Sequence, residues 1–435
     1  MMWLSSMLAR GVSGRSQAPA GGGGSAKLLT ISGSDDSTHV KWDLTATYAG
    51  ASRFNGGYFG SGVDNTYSLN YDNFATIGIG STSSKLLITG GGDTENKLGE
   101  FNIPTLSTSM SLSSLPVASN SHNFIDIFDA APNNPGLWGT TGARPLGICV
   151  YNGRVIVNYY AAYNSEGDAN RATLVVNDAS SISTTSERGF FDVTGTQLSG
   201  GWVSPIPDEY KAALEGTHIF GSSSGNSRSI LSNLSVGPSA YVFDGDASNS
   251  VTGSSPISNG STISLTPLMT FPYDTPVQPI ATMDNAGSIW SNVSEIYYGF
   301  IVPNTKTYIA IGFSAGKDTG VSYWDPTAPW GGYKGYGPND ADDIYNYYML
   351  FDMDDLIAAK NGSIQPYSIR PYETGELSVP FDNRASGITA FHYICGGAFD
   401  PSNSRLYLAL SYADDSQGSE SDLPLLLCYD LSSVT

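Results

Sequence analysis

The sequence predicts an all-β fold of the β-propeller type, in which several small sheets surround a common axis. Three observations predict it: a composition rich in turn and strand residues, an apolar hairpin that recurs along the chain, and glycine-flanked strands that precede several hairpins. The predicted propeller spans residues 27–435. Residues 1–26 are predicted to form a flexible N-terminal tethering arm, because 11–25 read GVSGRSQAPAGGGGS; the alternative is an unprocessed or disordered leader.

The composition favours many short strands joined by turns. The chain contains 50 Gly and 26 Tyr, and only 14% of its residues are charged. This profile is typical neither of helical bundles nor of disordered acidic chains. A hydrophobic share of 40% is enough to form a core.

A hairpin that recurs six times is the strongest sign of a repeated architecture. Its first strand is predicted in KLLTISG at 27–33, KLLITGG at 85–91, RVIVNYY at 154–160, THIFGSS at 217–223, TYIAIGF at 307–313 and RLYLALS at 405–411. Its second strand is predicted in VKWDLTA at 40–46, GEFNIPT at 99–105, LVVNDAS at 174–180, YVFDGDA at 241–247, LFDMDDL at 350–356 and LCYDLSS at 427–433. One small sheet cannot bury both of its faces, whereas several sheets packed around an axis cover one another.

An additional apolar strand precedes four of the hairpins and brings each unit to three strands or more. These strands are FATIGIG at 74–80, PLGICVYNG at 145–153, EIYYGFIVPN at 295–304 and YICGGAFDP at 393–401. Successive hairpins begin about 58 to 98 residues apart, which exceeds the ~40–50 residues of a compact propeller repeat and requires long inter-blade loops. Five or six blades fit, depending on whether the chain ends share a blade. A sandwich of two stacked sheets is the alternative architecture.

Two short segments predict helices within the connecting loops. The first is DEYKAALEG at 208–216, where Pro207 and Asp208 lie at the start and Gly216 follows the end. The second is DDLIAAKNG at 354–362.

Several longer stretches keep one order and spacing over most of residues 56–435. They are KLLITGGGDTENKLGEFNIPTL at 85–106, LGICVYNGRVIVNYYAAYNSEG at 146–167, IPDEYKAAL at 206–214, VGPSAYVFDGD at 236–246, LFDMDDLIAAKNGSIQPYSIRPYE at 350–373 and GGAFDPSNSRLYLAL at 396–410. Together they resemble an uncharacterised family of bacterial and phage propeller-like proteins of unknown function. The resemblance implies the fold and no established activity. The segment at 312–348 departs from the family pattern, because it lacks that pattern's Cys and His.

The charge of the chain argues against two classes of partner. Twenty basic and 40 acidic side chains give a formal net charge of −20. Phosphate-backbone binding relies on Lys and Arg, so nucleic acid and anionic membranes are not expected as partners. No membrane span is expected either, because no window approaches the ~20 apolar residues needed to cross a bilayer.

The sequence contains no pattern that predicts a catalytic residue, a metal site or a cofactor. Cys149, Cys395 and Cys428 lie in apolar runs and are expected to be buried. Of the four His, only His392 lies near another potential ligand, Cys395, and two ligands do not make a tetrahedral zinc site. Acidic residues that could serve glycoside hydrolysis or calcium binding are also ordinary in hairpin turns: Asp340, Asp342, Asp343, Asp352, Asp354 and Asp355.

The densest group of aromatic residues predicts a ligand- or partner-binding loop. Its rings are interleaved with Gly, Pro and Asp and include Tyr323, Trp324, Trp330, Tyr333, Tyr336 and Tyr345. Amphipathic rings in a loop suit saccharide stacking or a protein interface. The alternative is that these rings cover a small core of the loop itself.

The predicted function is that of a non-enzymatic structural or adhesive binding protein displayed outside the cytoplasm. A phage virion component is the favoured setting, in which the N-terminal arm binds neighbouring structural subunits and the loops contact a host-surface glycan or protein. The alternative is a secreted or periplasmic propeller that binds or cleaves polysaccharide. An intracellular scaffold fits the acidity and the arm less well.

Overall fold

The structure is a computed structural model. It describes residues 26–54, 74–91, 96–126, 143–161, 172–183, 186, 188–194, 201–222, 236–246, 262–272, 275–277, 290–323, 336–340, 342–382, 391–417 and 423–434. Within these residues the chain forms five sheets of four or five strands, which are the blades of a β-propeller.

The N-terminal part of the chain contains two strands outside the blades, one short helix and one blade strand. These are β1 (Leu28–Thr30), β2 (His39–Lys41), α1 (Leu44–Thr47) and β3 (Tyr48–Arg53). Blade 1 follows and consists of β4 (Phe74–Ile79), β5 (Lys85–Gly91), β6 (Asn96–Asn102) and β7 (Ser119–Asp126), with a 3₁₀ turn at Leu112–Ser114.

One strand of blade 2 comes from later in the chain than the first strands of blade 3. This strand, Thr262–Ser264, pairs in parallel with Arg188–Thr194 at the outer edge of blade 2. Blade 2 contains β8 (Ala143–Tyr151), β9 (Arg154–Ala161), β10 (Ala172–Val176), β11 (Arg188–Thr194) and β15 (Thr262–Ser264). Blade 3 contains β12 (Val203–Pro205), β13 (His218–Ser222), β14 (Ser239–Phe243) and β16 (Thr266–Met269), with helix α2 (Asp208–Leu214) between β12 and β13.

Blades 4 and 5 complete the ring. Blade 4 contains β17 (Glu295–Val302), β18 (Thr307–Ala315), β21 (Ile344–Asp352) and β22 (Glu373–Glu376), with a separate hairpin of β19 (Val321–Tyr323) and β20 (Tyr336–Pro338), helix α3 (Met353–Lys360) and a 3₁₀ turn at Pro366–Ser368. Blade 5 contains β23 (Ile394–Asp400), β24 (Arg405–Asp414) and β25 (Leu423–Asp430), with a 3₁₀ turn at Asp415–Gln417. Its fourth strand is β3.

The first strands of the five blades form the inner wall. They contact one another in a closed circle, in the order β4, β8, β12, β17, β23 and back to β4. This circle confirms the propeller and rules out two stacked layers. We call the end that carries the connections between second and third strands the upper face, and the end that carries the turns between first and second strands the lower face.

Five of the six predicted first strands are confirmed as the second strands of blades: β5, β9, β13, β18 and β24. The prediction for residues 27–46 is wrong. There β1 pairs in parallel with β2 outside the blades, and helix α1 occupies part of the predicted second strand. The chain ends share blade 5, so there are five blades and not six. Both predicted helices are confirmed as α2 and α3.

Glycine allows the inner strands to approach closely. A Cβ on Gly147 would lie 2.2 Å from the carbonyl oxygen of Gly201, and a Cβ on Gly78 would lie 2.5 Å from that of Ile148. Four of the five inner strands also carry a register shift near their upper ends: β4, β8, β17 and β23. Such bulges redirect side chains and are frequent next to functional sites.

Residues 28–32, which include β1, contact blade 4, and we call this segment the clasp. Glu373 on β22 accepts hydrogen bonds from Thr30 Oγ1 at 2.6 Å, Ile31 N at 2.9 Å and Ser32 N at 2.8 Å. Tyr348 also donates its hydroxyl to this carboxylate at 2.8 Å. Burial opposes ionisation of Glu373, but the hydrogen bonds outweigh it and hold its pKa below the ordinary value.

We expect Glu373→Gln to lower the free energy of unfolding by about 2 kcal/mol, because an amide group replaces an acceptor that serves three donors of the clasp. Urea unfolding at pH 7 measures the loss. Since the pKa of Glu373 is lower in the folded state, its contribution is complete above the unfolded pKa and disappears as pH falls through the folded value. Glu376→Gln, on an exposed residue of the same strand, is the matched control; an equal loss in both variants would contradict the clasp.

No helix among the described residues is long and apolar enough to cross a membrane.

Candidate functional site

Five aromatic rings meet on the upper face, where blade 4 adjoins blade 5. We call them the aromatic cluster: Tyr297, Phe313, Phe391, Tyr393 and Tyr412. Tyr393 is central, with ring centroids 5.7 Å from Tyr297, 5.5 Å from Phe313, 6.0 Å from Phe391 and 5.8 Å from Tyr412. All five side chains are half-buried, so the cluster is partly accessible to solvent.

A β-bulge positions Tyr297. The pairing between β17 and β18 shifts register between Ile296 and Tyr298, which leaves Tyr297 as the extra residue. Its ring lies nearly parallel to that of Phe313, with an interplanar angle of 28°. Its hydroxyl donates to Glu295 Oε2 at 2.6 Å. The bulge thus places the backbone of Tyr297, and the hydrogen bond holds the far end of its ring.

Tyr412 lies in the cluster with an unusual backbone conformation. It adopts φ = +60°, a left-handed conformation that is unusual for a bulky residue and is concentrated at functional sites. It lies where the pairing of β24 with β25 is irregular, between Leu410 and Asp414. Asp414 is fully buried and accepts from Arg53 Nε at 2.9 Å, which fixes the strand end next to Tyr412.

A buried amide on blade 4 holds the segment that carries Phe391 and Tyr393. Asn346 is fully buried, and its Nδ2 donates to the carbonyl of His392 at 2.9 Å while its Oδ1 accepts from Ile394 N at 2.8 Å. The two bonds flank Tyr393. Asn346 is therefore a positioning residue for the centre of the cluster.

The predicted site residue Tyr345 lies nearby but below the surface, with 8% of its side chain exposed. Its hydroxyl lies 2.8 Å from Asp318 Oδ2 and 3.0 Å from Asp343 Oδ1. Burial, followed by these two hydrogen bonds, raises the pKa of Tyr345. Asp343 also accepts from Thr319 N and Oγ1, so this group closes the turn after β18.

The other predicted site residues are placed only in part. Tyr323 and Tyr336 are directly opposed partners in the hairpin of β19 and β20. Trp324, Trp330 and Tyr333 lie outside the described residues. Binding by this loop therefore stays a prediction.

The acidic residues considered from the sequence have local partners. Asp352 caps helix α3 by accepting from Asp354 N at 2.9 Å, and burial raises its pKa. Asp342 N donates to Asp340 within its own turn. In the part of the chain that the structure describes, no three His, Cys, Asp or Glu residues come together in a way that could hold a metal ion.

The aromatic cluster could not be predicted from the sequence, because its members come from four separate strand ends. Tyr297 and Phe313 lie in segments predicted as blade strands, and nothing in their local pattern separates them from core residues. Aligning the sequences of the inner strands at their glycines gives one usable signal. It places Tyr297 and Cys395 at the same bulge position in blades 4 and 5.

The cluster offers a surface of ring faces with a carboxylate at its edge. Flat apolar faces contact the C–H face of a sugar ring, while Tyr hydroxyls and Glu295 can bond its hydroxyl groups. Uncharged ligands are favoured over anions, because Glu295 is acidic and the chain as a whole carries a charge of −20.

A scan of protein-family models and a search of curated proteins found no match to this chain. The resemblance to an uncharacterised bacterial and phage family therefore stays a prediction beyond the shared propeller fold.

Solved structures that are similar include a glycosyl hydrolase from Bacteroides ovatus, with 14% identity, coverage of 89% of this chain and 95% of that one, and a TM-score of 0.41. A GH43 endo-arabinanase from Bacillus licheniformis has 15% identity, coverage of 82% and 94%, and a TM-score of 0.35. An α-L-arabinofuranosidase from Podospora anserina has 10% identity, coverage of 88% and 96%, and a TM-score of 0.35. Scores this low carry no information on activity.

Proposed function

We propose that this propeller binds an uncharged polysaccharide on the aromatic cluster of its upper face. The observation that carries the proposal is the convergence of five half-buried rings from two blades, one of them placed by a bulge and another by a left-handed backbone. A left-handed backbone at a bulky residue such as Tyr412 has a conformational cost, and residues of this kind cluster at functional sites. This function corresponds to the alternative predicted from the sequence, a propeller that binds or cleaves polysaccharide.

Four of the five rings form two pairs with nearly parallel planes. Phe391 and Tyr393 are nearly parallel, at 20°, as are Tyr297 and Phe313, at 28°. Aromatic residues carry much of the binding free energy at recognition surfaces because they give a large contact area at low entropic cost. Two such pairs on neighbouring blades could contact successive sugar residues.

The virion setting and the tethering role of residues 1–26 stay predictions, since residues 1–25 lie outside the described residues. Neighbouring subunits and host-surface glycans are likewise predicted partners. A surface-exposed or secreted location agrees with carbohydrate binding, and secretion is part of this proposal.

We expect Tyr393→Ala to weaken binding of neutral polysaccharide about tenfold, because the central ring contacts every other member of the cluster. Affinity gel electrophoresis in arabinan, xylan, mannan and mixed-linkage β-glucan measures retardation of the intact chain. Tyr367→Ala removes a tyrosine that is 43% exposed and lies outside the cluster, and it is the matched control.

The proposal fails if no neutral polysaccharide retards the unmodified protein, or if Tyr393→Ala and Tyr367→Ala migrate alike. Polygalacturonate serves as the anionic comparison and is expected not to retard it. Release of reducing ends from a retarding polysaccharide would assign cleavage in addition to binding.

A further inference from the structure

A cavity lies on the propeller axis at the lower face, at the opposite end from the aromatic cluster. Its volume is about 270 Å³, and residues from all five blades line it. The turns after β4 and β23 supply much of its wall. This volume is close to the lower limit of about 300–1,000 Å³ for small-molecule pockets, which points to a ligand of few atoms.

Two buried side chains that line the cavity have unused hydrogen-bonding capacity. His218 is 2% exposed, and its Nδ1 lies 2.8 Å from Thr217 Oγ1, while Nε2 bonds to no described residue. Tyr298 is also 2% exposed, and its hydroxyl accepts from Phe399 N at 2.8 Å without donating its own proton to a described residue. A ligand hydroxyl that bonds to both groups would use hydrogen-bonding positions that the described residues leave open.

The charge of the cavity and the number of possible ligands argue against a bound ion. Asp400 is 1% exposed and supplies a carboxylate that accepts from Ser402 N at 2.9 Å and Asn403 Nδ2 at 2.7 Å. The described residues that line the cavity include no Lys or Arg, so an anion would be repelled by Asp400 without compensation. A bound metal ion is disfavoured, because no cluster of three His, Cys, Asp or Glu forms among the described residues.

The chemistry of His218 favours a hydroxyl group as the ligand atom at Nε2. Thr217 Oγ1 can donate to Nδ1 or accept from it, so Nε2 carries a proton in one tautomer and a lone pair in the other. A hydroxyl group donates and accepts, and thus matches either tautomer. The apolar walls, which include Ile148, Val203 and Phe399, suit the C–H face of a small ring.

We infer that the lower-face cavity is a second binding site, which takes one uncharged polyhydroxylated molecule of monosaccharide size. In this site His218 and Tyr298 bond two ligand hydroxyls, and Asp400 accepts from a third. The inference does not depend on the aromatic cluster, which lies at the other end of the axis.

Isothermal titration calorimetry of the intact chain with L-arabinose, D-xylose, D-glucose, D-galactose and myo-inositol tests the inference. We expect saturable one-to-one binding of at least one of them. His218→Phe and Asp400→Asn are each expected to raise its Kd at least tenfold, and Tyr393→Ala in the aromatic cluster is expected to leave the Kd unchanged. If His218→Phe does not fold, Asp400→Asn decides.

Three outcomes would overturn the inference. None of the five compounds binds; or binding is lost in Tyr393→Ala and retained in Asp400→Asn, which assigns it to the upper face; or calcium chloride or sodium phosphate binds at this site in place of the compounds. The first outcome leaves the polysaccharide proposal intact, because that proposal is read from gel retardation and from Tyr393.

Discussion

A Gly147→Ala variant is expected to lose about 3 kcal/mol or more of folding stability, a large share of the ~5–15 kcal/mol of an ordinary domain. The new Cβ would lie 2.2 Å from Gly201 O and 2.7 Å from both Trp202 C and Val203 N. All three are backbone atoms of the neighbouring blade, so no change of rotamer relieves the contact. Blades 2 and 3 would have to separate at the axis.

Chemical denaturation measures this loss. The control is an alanine substitution at a glycine in open surroundings. Gly153 lies in the turn between β8 and β9 at φ = +73°, and no atom of the described residues lies within 4 Å of the position that a Cβ would take there. Gly153→Ala is expected to cost only about 1–2 kcal/mol, from the left-handed conformation alone. Equal losses in the two variants would show that the inner strands can move apart freely.

Stability is expected to fall as pH decreases below about 6.5, and His218 is the cause. Burial lowers the pKa of this imidazole to about 3. Between these values the unfolded chain binds a proton that the folded chain does not, so stability is complete above the unfolded pKa and decreases by about 1.4 kcal/mol for each pH unit below it. Over the whole interval the loss reaches about 4–5 kcal/mol.

Urea unfolding at several pH values from 7 to 5 isolates this effect, because carboxylates titrate mainly at lower pH. His218→Phe is expected to remove the slope in this interval, whatever its stability at pH 7. His39→Gln is the control, since the His39 side chain is 33% exposed. A slope that persists in His218→Phe and disappears in His39→Gln would contradict the assignment.

Much of the fold could be predicted from sequence because each blade repeats one local pattern. The segments at 85–91 and 154–160 are apolar runs between turns, and both are second strands in the structure. The segment at 27–33 has the same pattern and yet lies outside the blades. Its strand is held by contacts with blade 4, such as Leu29 N to Thr307 Oγ1 at 2.8 Å, which no local pattern encodes.

The inner strand of blade 3 was missed for a different reason. It has only three residues, Val203–Pro205, and it ends in proline, which usually argues against a central strand. Proline is tolerated here because the strand is the innermost of its blade and pairs on one side only, with β13.

The candidate site could not be read from sequence, because tertiary placement decides which tyrosines are accessible. Tyr345 and Tyr348 belong to the densest aromatic stretch, but they lie on β21 and are buried within blade 4. Tyr297 and Tyr412 have ordinary sequence surroundings and reach the surface through a bulge and a left-handed residue. Neither feature has a residue-type signature at these positions.

The pairing of β3 with β25 also bears on how the protein is made. Leu425 opposes Arg53, so the fifth sheet draws its edge from the beginning of the chain and its other strands from the end. During synthesis the circle stays open until the last strands have left the ribosome. Pairing of such distant segments is slow. The earlier strands of the nascent chain therefore keep an unpaired edge until blade 5 closes, and an unpaired strand edge is prone to association with other chains.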